Sequence, residues 1–337
     1  MTVWWLLPVI VLASLGLTGV LRRYALARSL MDIPNARSSH TVPTPRGGGV
    51  AIVVSFLLAV PVVAALGGIS WGLALALLGG GGWVAVVGFL DDHGHIAARW
   101  RLLAHFAGAI WALCWLGGLP PLQVAGFNVN LGWFGHIAAA FYLVWLLNLY
   151  NFMDGIDGIA GVEAVTVCVG GALLYGVLGQ ADAALLPLVL AVASAGFLFW
   201  NFPPAKIFMG DAGSGFLGLV LGILSLQAAW VAPQLLWSWL ILLAVFIVDT
   251  TFTLLRRLLR GDKVYQAHRS HAYQFASRQH AGHLPVTLAV LVINLAWLLP
   301  LAVLVGTGRL DGLLGFVVAS LPLIFLALRY KAGARES

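Results

Sequence analysis

Residues 70–95 read SWGLALALLGGGGWVAVVGFLDDHGH. Twenty-one residues pass without a charge, and two aspartates and two histidines then arrive within five positions. An uncharged run of that length suits a helix that crosses a bilayer, which needs roughly 20 mostly apolar residues. Its glycines suit a helix that packs closely on others in a membrane. Working outward, the same alternation of long apolar runs and short polar clusters continues along the chain. Of the 337 residues, 61% are hydrophobic and 9% charged. A soluble domain carries about 25% charged residues, so this chain cannot coat a soluble globule of its size. The fold expected is all-α, a polytopic membrane helix bundle.

Eleven apolar runs qualify as spans, at 3–21, 48–66, 70–90, 102–118, 135–150, 160–178, 183–200, 213–231, 234–255, 285–305 and 310–328. They form a single transmembrane domain over 1–337. The first run has no basic segment ahead of it and no small-residue cleavage site, so it is expected to be a retained span. Cys114 and Cys168 lie inside apolar runs and read as small hydrophobes, not as a disulfide.

Lysine and arginine fix the expected orientation. With eleven spans, seventeen of the eighteen basic residues fall on one side, and Arg309 is the exception. Cytoplasmic loops carry the excess of Lys and Arg. The N-terminus is therefore expected in the periplasm and the C-terminus in the cytoplasm. The net charge of +6 is accounted for by topology, and no nucleic-acid partner is expected.

The remaining polar clusters fall on the same basic side. Asp91-Asp92-His93-Gly94-His95 ends the third run, where paired carboxylates oppose a helix dipole and call for a cation, a proton or a basic partner. In Asn148-Leu149-Tyr150-Asn151-Phe152-Met153-Asp154-Gly155-Ile156-Asp157-Gly158, two amides and two carboxylates supply hard oxygen ligands. From Asn201 the chain runs through Lys206 to Phe208-Met209-Gly210-Asp211-Ala212-Gly213-Ser214-Gly215. A glycine-rich helix start can offer backbone N–H groups to an anion, and Asp211 could hold a metal on it. His268-Arg269-Ser270-His271 lies in the most basic loop. A zinc site there lacks a third ligand at fitting spacing, so phosphate contact is favoured. The first basic loop contributes Arg37, His40 and Arg46 ahead of Gly47-Gly48-Gly49, either a phosphate contact or a simple turn. Two acids fall inside runs. Asp249 is expected to support the site and Glu163 to be structural.

From about Asp32 to Gln274 this pattern resembles the polyprenyl-phosphate N-acetylhexosamine-1-phosphate transferases, also called glycosyltransferase family 4. The resemblance rests on the Asp-Asp pair, the Asn-x-x-Asn-Phe-Met-Asp-Gly-Ile-Asp-Gly stretch, Phe-Met-Gly-Asp-Ala-Gly-Ser and the histidine loop, in family order. It implies a magnesium-dependent enzyme, with manganese as a substitute. Undecaprenyl phosphate would attack the β-phosphorus of a UDP-sugar and release UMP. By position, Asn148 and Asp211 would match metal ligands, and Asp154, Asp157 and Asn201 would match positions around the nucleotide. Asp91 and Asp92 would match the acidic pair near the lipid phosphate, as base, metal ligand or nucleophile. His268 and His271 would match the loop that touches the donor. Asn151 and Lys206, with Arg37, His40 and Arg46, complete the expected substrate contacts.

The resemblance places the protein in the bacterial inner membrane among its lipids, with the site facing the cytoplasm and room for a homodimer. The peptidoglycan branch carries three consecutive histidines in its last cytoplasmic loop, and this chain does not. The first-loop motifs look most like transferases that initiate O-antigen in lipopolysaccharide biosynthesis. A transporter or channel would spread ionisable groups to the bilayer midplane and both faces, and a flippase would need an internal polar path. Neither pattern is present.

Overall fold

A computed structural model describes residues 3–34, 39–94, 96–124, 126–263 and 268–335. The helices are α1 Val3–Ala27, α2 Val50–Ala65, α3 Trp71–Gly94, α4 Ala98–Leu116, α5 Gly132–Met153, α6 Ile159–Val177, α7 Ala181–Asn201 and α8 Asp211–Val231. They continue as α9 Gln234–Leu242, α10 Ala244–Leu259, α11 Ala272–Gln279, α12 Leu284–Gly306 and α13 Gly312–Arg329. Two small antiparallel hairpins complete the fold. β1 Met31–Asp32 pairs with β2 Thr44–Pro45, and β3 Leu122–Val124 pairs with β4 Phe127–Val129.

Each of the eleven apolar runs holds a helix, but they are not equivalent. Among the described residues eight helices are long and apolar enough to cross a membrane, or nine if α9 and α10 count as one span. α2 has 16 residues, so it is about 24 Å long and shorter than a bilayer core. α4 carries Arg99, Arg101 and His105 in its first turns. The run expected as one span at 234–255 is bent by 74° between α9 and α10. Leu243 at the break has ψ of 3°, which interrupts the helical path without glycine or proline to mark it in the sequence.

α8 is the core of the bundle, with 83% of its apolar window buried. It packs on α5 and α3, and α1 packs on α7. Small residues set these distances. A Cβ on Gly218 of α8 would stand 2.7 Å from the Leu147 Cα of α5. Helices approach this closely only where side chains are missing. The consequence is positional, because the polar ends of α3, α5 and α7 and the starts of α6, α8 and α12 meet at one end of the bundle.

Candidate active site

The Asp91-Asp92 pair occupies the last turn of α3, and neighbouring positions on a helix point about 100° apart. Asp92 turns toward α8. Its Oδ1 accepts the Asp211 N–H at 3.1 Å and its Oδ2 the Ala212 N–H at 3.2 Å. These are free amides of a helix start, so Asp92 caps α8 from another helix. Gly88, one turn earlier, permits the approach, since a Cβ there would lie 2.5 Å from the Asp211 carbonyl oxygen. The sequence suggested that this glycine-rich start offers amides to a substrate anion. Its first two amides are instead taken by Asp92.

Asp91 faces the other way. Its Oδ1 accepts the Ile96 N–H at 2.6 Å, and its Oδ2 accepts the Arg101 guanidinium. Arg101 Nη1 also stands 3.6 Å from Asp211 Oδ2. The Asp91 side chain is 5% exposed and that of Asp211 33%. Asp211 is therefore the acid of this trio most open to a ligand, and Arg101 is a counter-charge that sequence reading missed.

The loop after α5 brings in Asn151, Asp154 and Asp157. Burial pushes the Asp154 carboxyl up to about 7, with help from the negative charges of Asp211, Asp92 and Asp157. Gly155 lets this loop lie under Tyr273, whose hydroxyl would be 2.1 Å from a Cβ at that position. Asn201 braces the loop. Its Oδ1 accepts the Gly158 N–H and its Nδ2 donates to the Ile207 carbonyl, both at 3.0 Å. Both ends of the Asn201 amide thus bind backbone.

The first loop closes the site by main-chain pairing. Phe208 N–H donates to Pro45 O at 2.8 Å, while Gly48 and Gly49 N–H donate to Phe208 O and Met209 O at 2.9 Å. The Gly48 and Gly49 amides are thus taken by main chain, and these two glycines serve close packing. A Cβ on Gly49 would lie 2.6 Å from the Gly213 Cα. Arg46 donates to the Asp92 carbonyl, and His40 sets its ring edge-on to Phe208 at 4.8 Å.

These elements enclose a cavity of about 700 Å³. Eight of the expected residues line it: His40, Arg46, Asp92, Asn151, Asp154, Asp157, Asn201 and Asp211. Asp32, Ser39, Phe208, Gln274 and His283 line it as well. His283 had no motif to mark it, and only its place in the basic loop 256–284 hinted at a role.

The other expected residues lie elsewhere. Asn148 sits one turn before Asn151, outside the cavity lining, with its Nδ2 donating to Val144 O at 2.7 Å. Lys206 is exposed, with its ammonium over the rings of Phe199 and Trp200 at 5.9 and 5.6 Å. His268 and His271 stack on each other at 4.9 Å, beside the cavity and not on its wall. Burial and the nearby His271 and Arg257 push His268 down to about 3, so it is neutral near pH 7. His271 is 2% exposed, 3.4 Å from Asp249. Asp249 itself accepts the Ala272 and Tyr273 N–H groups at 2.9 and 3.0 Å, capping α11 much as Asp92 caps α8. Arg37 lies outside the described residues. Glu163 is fully buried, and its Oε2 accepts Asn294 Nδ2 at 2.7 Å, which fits the structural part expected of it.

Among the described residues no three His, Cys, Asp or Glu side chains are gathered closely enough to hold an ion on their own. Magnesium does not need such a cage, because it is bound by one or two carboxylates together with substrate phosphates and water. Asp211 and Asp154 fit that role. Their carboxylates offer hard oxygen ligands, and the raised Asp154 carboxyl marks an excess of negative charge there.

The glycosyl transferase family 4 profile matches residues 74–229. A probable undecaprenyl-phosphate N-acetylglucosaminyl 1-phosphate transferase of Bacillus subtilis is 33% identical over 84% of this chain and 79% of its own length. A decaprenyl-phosphate N-acetylglucosaminephosphotransferase of Mycolicibacterium smegmatis is 31% identical over 75% of this chain and 71% of its own. A phospho-N-acetylmuramoyl-pentapeptide-transferase of Streptococcus pneumoniae is 31% identical over 66% and 71%.

Proposed function

The chain belongs to glycosyl transferase family 4 and is a polyprenyl-phosphate sugar-1-phosphate transferase, and on that premise we propose that it moves an N-acetylhexosamine 1-phosphate from a UDP-sugar to undecaprenyl phosphate. In this reaction an acceptor phosphate oxygen bonds to the donor β-phosphorus. The bond from that phosphorus to the bridging oxygen breaks, and UMP leaves with the electron pair. The observation that carries the proposal is the cavity in which Asp92, Asp154 and Asp211 share one wall with Arg46.

Two anions must meet here, so charge control outweighs base catalysis. The acceptor phosphate is mostly ionised at neutral pH, with a second pKa near 6. Asp211 and Asp154 would hold magnesium, which would supply charge neutralisation on the diphosphate. Arg101 restrains Asp91 and Asp211, and Asp92 fixes the start of α8 so that Asp211 is presented at a constant position. Asn151, Asp157, His40 and Phe208 line the same cavity and would contact the donor. His268 and His271 act on the site through the start of α11, which carries Gln274.

The basic-residue asymmetry supports a periplasmic N-terminus and a site open to the cytoplasm of a bacterial inner membrane. The first-loop motifs support a role in initiating O-antigen or a related surface glycan. The test is an assay of purified protein with undecaprenyl phosphate, magnesium and a panel of UDP-sugars, following UMP. The expected result is UMP release with an N-acetylhexosamine donor, abolished in Asp211→Ala. No UMP with any donor would overturn the proposal.

A further inference from the structure

His283 stands at the start of α12, where it touches two other loops. Its Nδ1 is 3.0 Å from Asp157 Oδ1, and its Nε2 is 3.0 Å from the Ser39 carbonyl oxygen. The two side chains are only 15% and 12% exposed. Asp157 is held at its other two oxygens too. Its Oδ2 accepts the Ala205 N–H at 2.9 Å, and its carbonyl accepts the Thr287 hydroxyl at 2.7 Å. Four chain segments, around residues 39, 157, 205 and 283–287, therefore converge on one carboxylate and one imidazole.

The two acceptor oxygens also favour a charged imidazole. A neutral ring donates from one nitrogen only. If Nε2 donates to Ser39, a bare Nδ1 would accept the Asp157 N–H at 3.3 Å while its lone pair faced a carboxylate oxygen at 3.0 Å. A ring protonated at both nitrogens removes that repulsion and satisfies both acceptors. A cation at a helix start opposes the dipole, and Asp157 supplies the compensating charge. The His283–Asp157 pair forms the partition between the 700 Å³ cavity and a second cavity of about 630 Å³, which shares Ser39, His40, Phe208, Asp157 and His283 with it.

We infer that His283 is a positioning residue for the transfer, an imidazolium that locks the Asp157 loop to the first loop and keeps the donor wall closed. The catalytic consequence rests on the proposed reaction, while the structural lock does not. The ionisable groups that line the first cavity with His283 are Asp157 and Asp154 on the loop after α5, Asp32, His40 and Arg46 on the first loop, Asp92 of α3 and Asp211 of α8. Arg278 of α11 lines the second cavity. Lys206, next to Ala205, turns away onto aromatic rings.

The experiment compares wild type, His283→Ala and His283→Gln, the last keeping one donor. Hydrogen exchange at residues 39–46 and 154–158 should rise in His283→Ala and to a lesser degree in His283→Gln. The UDP-sugar KM should rise about tenfold in His283→Ala, one strong hydrogen bond's worth, with kcat changed far less. As the pH rises and the ring loses its second proton, the wild-type KM should climb toward that of the alanine variant. Wild-type exchange in both segments of His283→Ala would overturn the lock, whatever the donor proves to be. Altered exchange with an unchanged donor KM at every pH would overturn its role in the transfer. An inactive wild type would instead count against the proposed reaction, and the exchange result would still decide the lock. If His283→Ala does not fold, His283→Gln decides alone, by the same two readouts.

Discussion

Asp92 on α3 and Asp211 on α8 meet through a hydrogen bond of 3.1 Å from the Asp211 amide to the Asp92 carboxylate. The two acids are thus coupled through backbone, and Asp92 shapes the site by fixing where α8 begins. Asp92→Asn replaces one acceptor oxygen with a donor that faces an N–H group. The loss of a helix cap should lower stability by about 1–2 kcal/mol. Thermal unfolding in detergent checks this. Asp92→Asn should also lower kcat at saturating magnesium, since Asp211 is displaced and not removed.

Arg101 connects Asp91 to Asp211, so its loss strands a carboxylate that is only 5% exposed. Removing one partner of a buried pair costs about 3–5 kcal/mol. Arg101→Gln should show a loss toward the lower end of that range, because Arg101 is 29% exposed. Adding Asp91→Asn should recover most of the stability, and chemical denaturation of the single and double variants measures the recovery. Equal stability of the two variants would show that the pair contributes little.

The raised Asp154 value predicts a pH dependence with a definite sign. The folded state holds this proton up to about 7, whereas an unfolded aspartate releases it near 3.8. The contribution to stability is full below 3.8, declines as the pH climbs, and is lost once it passes about 7. Asp154→Asn should abolish that decline and raise the unfolding temperature at pH 8 by about 2 °C or more. Magnesium should flatten the wild-type profile in the same way if it takes the proton's place. A series of melting curves from pH 5 to 8, with and without the ion, tests both statements.

Much of this was legible in the chain because burial in a bilayer imposes length and apolarity directly on sequence. The clusters at Asp91-Asp92, Asn151–Asp157 and Asp211 stood out since charges are costly there unless used. Local sequence does not encode which way a side chain turns. Asp91 and Asp92 are adjacent yet serve different partners, and the glycines at 48, 49 and 213 looked like parts of anion loops but are closely packed. His283 was missed because its partners, Asp157 and Ser39, are more than a hundred residues away. The 74° bend at Leu243 was missed because no glycine or proline announces it.

The chain after α13 folds back on the histidine loop, which makes Gly333 a test of how that loop is held. Gly333 N–H donates to the Ser270 carbonyl at 2.7 Å, Arg256 donates to Ala332 O at 3.0 Å, and Arg260 to Gly333 O at 2.7 Å. Gly333 has φ of +70°, and a Cβ there would lie 2.9 Å from the Thr253 carbonyl oxygen. Gly333→Ala meets both a left-handed backbone penalty of about 1–2 kcal/mol and a clash with main chain. This segment follows the last helix of the bundle, so the strap should release while the helices stay folded. Hydrogen exchange should increase at residues 268–274, and transfer activity should fall with little change in the melting temperature. Unchanged exchange in that loop would mean that Asp249, through its bonds to the Ala272 and Tyr273 amides, holds the loop without the strap.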